Sequence, residues 1–239
     1  MEKLPRTPDA RLEQRRIGPR LASERGSRKV REITALEKVF DETAVLRGVD
    51  LLISAGERVG LVGGDGSGKS VLFHTVIGEE VPTSGKTHLG PSISVGYYSQ
   101  EHQTLDETRT AVEEIRRLKS MSEGNAYNFL GGFLFDHQTA QNKIATLSGG
   151  EKSRLQMAKL MLTRGNLLLL DEPPNNLDIR SCEVLEQALD DYAGTIFVIS
   201  HDRYFLERVV GRIVEVQDGR LTEYDGDYAY YRGKKLSEA

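Results

Sequence analysis

The chain has a single cysteine, Cys182, so no intramolecular disulfide framework is available and a reducing compartment fits it. It has no apolar run near the ~18 residues needed to cross a bilayer, which excludes membrane insertion by a hydrophobic helix. The first residues are rich in arginine and contain no apolar h-region, so they do not read as a secretory signal. Five scattered histidines and one cysteine offer no zinc-type spacing. What is present suits a globular protein with a real core: 38% hydrophobic and 28% charged residues in a length of 239, enough for one large domain or two small lobes.

Charge is distributed unevenly. Residues 1–30 carry nine Lys/Arg against four acids, whereas the whole chain has a net charge of −4. A basic arm on an acidic body fits either a polyanion partner or a solvated tail.

From Glu32 onward, stretches with strand character alternate with helical ones. "EITALEKVF" and "AVLRGVDLLI" read as strands, followed by the short buried strand in "GERVGLVGG". "KSVLFHTVIG" reads as a helix closed by Gly78. "KTHLG" and "SISVGYYSQ" are further strands. Ala111, Ile115 and Leu118 then recur at helical spacing, and the pattern predicts a small helical lobe over about 103–147. A helix follows from about Gly149 to Leu162, then a strand at Leu167–Leu170, a helix in "SCEVLEQAL" and a buried strand in "GTIFVIS". Asp218-Gly219 predicts a two-residue hairpin turn. The expected fold is α/β: a mainly parallel sheet with an antiparallel β part and an inserted helical subdomain. The expected division is a tail over 1–30, a body over 31–233 and a short C-terminal tail over 234–239.

Two motifs carry chemistry. Gly63-Gly64-Asp65-Gly66-Ser67-Gly68-Lys69-Ser70 fits G-x-x-x-x-G-K-[ST] between a strand and a helix, the setting in which such a loop wraps a triphosphate. Its glycines let backbone N–H groups approach the phosphates, and the helix N-terminus adds partial positive charge. Lys69 is placed to reach the β- and γ-phosphates, and the Ser70 hydroxyl to hold Mg²⁺. The second motif is Asp171-Glu172, at the end of the leucine-rich strand. By itself such a pair reads better as acids that merely end a strand and cap a helix. With the phosphate loop upstream, Asp171 is expected to serve Mg²⁺ and Glu172 to orient or deprotonate the attacking water.

"GGDGSGKS", Gln100 in "GYYSQ", "LSGGEKSR", "LLLLDEP", "NNLD" and "SHDRYFL" occur in the order of an ATP-binding cassette ATPase, a P-loop NTPase, and the resemblance covers about Glu32 to Tyr231. Glu151-Lys152-Ser153-Arg154 after the glycines, "DEPPNNLD" and "SHDRYFL" resemble the F subfamily, soluble duplicated cassettes that act on ribosomes. The resemblance implies ATP and Mg²⁺ as ligands. It implies that Phe40 stacks on adenine, although a core aromatic would also suit that position. It assigns Gln100 to sensing Mg²⁺ and the attacking water, and His201 to the γ-phosphate. Val71, directly after the phosphate-loop motif, is counted with the expected nucleotide-binding residues. Ser148, Gly149 and Gly150 are expected to cap the γ-phosphate held by a facing cassette, so that two cassettes sandwich ATP and hydrolysis releases them.

Departures from the family pattern are Asp65 for Asn, Val71 for Thr, Pro174 for Thr and Asn176 for His, from which slowed turnover is expected. The stretch between Gln100 and Leu147 leaves no room for a long coiled arm, and the basic tail resembles an interdomain linker. These features resemble a second cassette, paired with itself or with a separate first half. The expected partners are that second cassette and the ribosome with its rRNA and tRNA; the expected location is cytoplasmic, and the expected role is translation or antibiotic protection. A transporter's nucleotide-binding subunit and a non-catalytic regulatory module are the alternative functions. Tyr228, Tyr230 and Tyr231, interleaved with bases, suit either RNA stacking or packing of a terminal helix.

Overall fold

A computed structural model describes residues 29–98, 105–163, 165–175 and 177–238. Two long strands, β1 (Lys29–Phe40) and β2 (Thr43–Ser54), lead into β3 (Arg58–Val62), α1 (Lys69–Ile77), β4 (Ser84–Leu89) and β5 (Val95–Tyr98). Helices α2 (Ala111–Leu118), α3 (Glu123–Gly131) and α4 (His137–Gln141) precede α5 (Gly149–Leu162). Then β6 (Leu167–Asp171), α6 (Ile179–Asp190), β7 (Thr195–Ile199) and α7 (Arg203–Val209) alternate. The hairpin β8 (Arg212–Gln217) and β9 (Arg220–Tyr224) and the helix α8 (Tyr228–Glu238) close the order.

The larger sheet runs β5-β6-β7-β3-β8-β9, parallel except for β9 at its edge. The smaller, β2-β1-β4, is antiparallel. The leucine run explains the layering. Along β6, Leu167 and Leu169 pack toward the smaller sheet, and Leu168 and Leu170 toward the helices on the other face. A strand covered on both faces needs an unbroken apolar run, and period-two alternation divides it between two cores. Helix α1 lies in the core shared by the two sheets, burying Leu72, Phe73 and Val76, with Phe73 stacked on Phe197 at 5.6 Å between ring centres.

The predicted hairpin turn has both central residues at positive φ, Asp218 at 51° and Gly219 at 74°, as a two-residue turn of this kind requires. Its tip is fastened to β2. The Gly219 carbonyl accepts from the Arg47 N–H at 2.8 Å, and a Cβ at position 219 would stand 2.7 Å from the Val45 carbonyl oxygen.

The helical lobe falls between β5 and α5, while β5 itself pairs with β6, so the lobe is an insertion into the sheet's chain order. Side chains of Thr110, Ser122 and Asp136 cap its three helices. Ala111 and Ile115 are buried as the helical spacing predicts, and so is Glu114, fully. The Glu114 carboxylate accepts from Lys159 of α5 and from Arg117 at 3.1 Å, tying the lobe to α5.

Of the tail expected over residues 1–30, only Lys29 and Val30 are described, and they open β1. At the other end α8 continues through the stretch read as a tail, because Lys235 reaches back to Glu215 at 3.1 Å and Tyr231 packs edge-on against Tyr224. Tyr228 also packs against this core, whereas Tyr230 stays exposed beside Lys234.

Candidate functional site

The carboxyl ends of β3, β6 and β7 bring the phosphate loop, the paired acids and His201 to one edge of the larger sheet, where ligands of open α/β sheets bind. The loop's shape depends on its glycines. Gly63 has φ 152° and a Cβ there would lie 2.4 Å from the Val216 carbonyl oxygen; Gly68 caps the start of α1 at φ 103°, and a Cβ there would lie 3.0 Å from Val45 Cγ1. Lys69 is nearly buried, and its ammonium donates to the carbonyls of Gly63 at 2.8 Å and Gly64 at 2.9 Å. The loop is thereby curled around its own lysine. Gly64, Asp65 and Gly66 are exposed, and the Ser67 hydroxyl is buried without a hydrogen bond. Val71 packs against the inter-sheet core.

Glu172 follows β6 with φ 47°, a left-handed conformation that a non-glycine adopts at a cost of about 1–3 kcal/mol. Its N–H donates to the Ile199 carbonyl at 3.0 Å, and its carboxylate Oε2 accepts from the His201 N–H at 3.1 Å. The other oxygen, Oε1, is buried without a hydrogen bond, with the His201 ring Nε2 at 3.4 Å but not in hydrogen-bond alignment. Burial pushes this carboxyl above its ordinary range, and neighbouring Asp171 adds to that; His201 and Lys69 oppose it. A carboxylate that binds protons more tightly, with one oxygen unengaged, suits a general base. Asp171 is also raised by burial, opposed by His74.

His201 is half exposed, and its Nε2 lies 4.0 Å from Asp65, so the unusual loop carboxylate reaches the same imidazole as Glu172. Lys69, His201, Gly63 and Gly64 border a cleft of about 210 Å³. A larger one of about 640 Å³ runs along Gly64–Ser67 and the hairpin turn.

Mg²⁺ fits the donors present. Ser70 offers an exposed hydroxyl and Asp171 a half-buried carboxylate, hard oxygens of the kind that hold Mg²⁺ together with phosphate and water. Among the described residues no group of three or more His, Cys, Asp or Glu gathers, and this ion needs only one or two protein oxygens beside a phosphate.

Other predicted residues stand apart. Phe40 is exposed at the end of β1 with the Lys38 ammonium 4.6 Å above its ring, outside both clefts. Ser148, Gly149 and Gly150 form the start of α5, also outside those clefts. Ser148 and Glu151 make a capping box, with the Glu151 carboxylate accepting from the Ser148 N–H at 2.7 Å and the serine oxygen accepting from the Glu151 N–H. Asp178 caps α6, and Arg154 of α5 donates to Ser181 at 2.9 Å and lies 3.7 Å from Asp178. Gln100 and Asn176 lie outside the described residues. Sequence reasoning missed Glu215 and Lys235, which border the larger cleft. The signal was an acid inside the buried strand "RIVEVQ".

The family model described as ABC transporter matches residues 46–175. ABC transporter F family member 5 of Arabidopsis thaliana is 38% identical over 218 residues, covering 89% of this chain and 32% of that protein. The energy-dependent translational throttle protein EttA of Escherichia coli (strain K12) is 37% identical over 224 residues, covering 91% of this chain and 40% of EttA. The chain thus spans about a third to two fifths of the length of these relatives. Among solved structures, the dimeric post-hydrolysis state of the ATP-binding cassette MJ0796 with ADP and Pi matches with a TM-score of 0.68 and 23% identity, over 82% of this chain and 98% of that one, which shows a shared fold. With a glycine loop curled around Lys69, paired acids at the end of β6 and His201 beside them, the chain belongs to the ABC transporter family of ATP-binding cassettes, and its relatives include the family's F members.

Proposed function

We propose that this chain binds and hydrolyses ATP as an F-type cassette that pairs with a second cassette and acts on the ribosome. The observation that carries the hydrolytic reading is Glu172: buried, its carboxyl raised, one oxygen unengaged, 3.4 Å from His201. In this reading Lys69 exchanges the carbonyls of Gly63 and Gly64 for β- and γ-phosphate oxygens. Glu172 accepts a proton from water as that water's oxygen bonds to the γ-phosphorus; the bond from that phosphorus to the bridging oxygen breaks, and ADP departs. His201 orients Glu172 and donates a ring N–H to a γ-phosphate oxygen. Ser70 and Asp171, with Gln100, would hold Mg²⁺, which would supply charge neutralisation for the phosphates. Phe40 stacks on adenine.

Ser148, Gly149 and Gly150 cap the γ-phosphate of a facing cassette, self-paired or from a separate first half, so ATP favours the closed pair and hydrolysis opens it. The ribosomal assignment rests on the F-family relatives and on the name of EttA, a translational throttle protein. A cytoplasmic location and a role in translation or antibiotic protection belong to the same reading. Among the described residues no helix is long and apolar enough to cross a membrane.

Calorimetry with ATP and Mg²⁺ tests the foundation: saturable uptake is expected, and none overturns the reading. Co-sedimentation of the Glu172→Gln form with ribosomes tests the rest. ATP-dependent binding is expected, whereas equal recovery with ATP and ADP overturns the ribosomal assignment.

A further inference from the structure

The C-terminal helix meets the phosphate loop through a carboxylate that no motif names. Glu215 on β8 is in register with Val62, the residue that leads into Gly63. Its side chain is nearly sealed from solvent, yet it borders both the larger cleft along Gly64–Ser67 and the smaller one containing Lys69 and His201. A negative charge at this place opposes a polyphosphate, and such repulsion is worth more at a partly dry wall than in open water.

Three donors answer that charge. The Tyr231 hydroxyl donates at 2.9 Å, the Tyr224 hydroxyl at 3.2 Å and the Lys235 ammonium at 3.1 Å. The two phenols disperse the charge; the ammonium cancels it. Burial and the adjoining carboxylate push the Tyr231 phenol well above its ordinary range, so it remains a donor. Lys235 also borders the larger cleft, beside the exposed part of the phosphate loop. Two of the three donors come from α8, so the docking of this helix and the electrostatic character of the cleft are one arrangement.

We propose that Lys235 and Glu215 form a charge lock that sets the site's preference for nucleoside triphosphates: the ammonium on α8 neutralises the carboxylate flanking the phosphate loop. The inference rests on the reading of this cleft as an ATP site. With Lys235 removed, the carboxylate has lost its counter-charge and opposes each nucleotide according to the phosphates it sets along the loop beyond the α-position. With both removed, the opposition disappears. A purely structural role for α8 makes neither distinction.

The test is calorimetry with ATP and ADP, each with Mg²⁺, and with AMP, on the unaltered chain, Lys235→Met and Lys235→Met/Glu215→Gln, with thermal melting of each. For Lys235→Met the expected result is about fivefold weaker ATP binding, in keeping with a partly exposed ion pair, a smaller loss for ADP and none for AMP. The double variant is expected to return to within about twofold of the unaltered chain for ATP, since the charge to be answered is gone. Undiminished ATP binding by Lys235→Met overturns the inference alone. Equal weakening for all three nucleotides, or no recovery in the double variant, overturns it as well, because each marks a loosened helix rather than an unmasked charge. Failure of the unaltered chain to take up ATP overturns the proposed function first, and this inference with it.

Discussion

Glu114 and Glu172 are both nearly inaccessible glutamates, held in opposite ways. Glu114 joins the helical lobe to α5 amid Lys159, Arg117 and Arg109, and Arg117 and Lys159 hold its carboxyl below its ordinary range despite the opposing effect of burial. Glu172 sits at the sheet edge on a left-handed residue, with one oxygen unengaged and its carboxyl raised by burial. A paired acid in a dry junction serves as a fastener: its charge is answered and its proton affinity is low. An acid left partly unanswered keeps an affinity for protons that chemistry can use. Burial alone therefore does not identify a reactive residue; the state of its partners does.

The contrast breaks most visibly with Glu172→Gln. Steady-state phosphate release is expected to fall about a thousandfold, as for loss of a general base, with ATP affinity preserved by calorimetry. Activity near that of the unaltered chain would remove Glu172 from its role. Glu114→Gln is expected to lower unfolding free energy by about 3 kcal/mol in urea titrations, because it removes the negative charge of a buried ion-paired junction. A change close to zero would mean that the junction relaxes and that Glu114 is no fastener.

Acid sharpens the same comparison. Glu114 has a depressed carboxyl, so its stabilisation is present above the ordinary value of 4.5 and is lost as pH falls through its lower folded value. Glu172 has the opposite sign: its raised carboxyl favours the protonated folded form, so ionisation as pH rises through that raised value weakens the fold. Glu114→Gln should thus flatten the acid limb of the stability profile below about pH 4.5, whereas Glu172→Gln should leave that limb and gain slightly at neutral pH. The smallest effect is expected from Glu114→Leu/Lys159→Met, which removes both charges together and should stay within about 1 kcal/mol of the unaltered chain in the same urea titrations.

Much of this contrast was hidden in the linear chain, and the reason is physical. Local signals were legible. The strand before Gly63, the start of α1 at Lys69, the closing Gly78, the Asp218-Gly219 turn and the leucine run ending in acids each follow from backbone freedom or apolar periodicity over a few residues. The meeting of the phosphate loop and Glu172 at the strand ends was legible too, because spacing and residue type define those motifs. Glu114 was not legible: in "AVEEIRRL" it looks like any solvated helix charge, and its burial depends on Lys159, 45 positions away. Glu215 was half legible, an acid among buried apolar neighbours, but its donors come from α8, which the sequence reading ended too soon to include Lys235. Phe40 marks the converse case. Its place in the motif order suggested adenine, and the structure sets it in the open beneath Lys38.

The tip of the last hairpin has a practical meaning for anyone who wishes to label or graft onto this protein. Two-residue turns at the surface are ordinarily convenient points for adding a tag or joining a foreign peptide. Between Asp218 and Gly219 such an addition would unfasten the Arg47 amide from the Gly219 carbonyl and crowd the backbone at Val45, the residue whose side chain leaves no room for a Cβ at Gly68. A reporter inserted there would disturb the glycine-rich loop before α1 from behind, and a grafting site should be sought elsewhere.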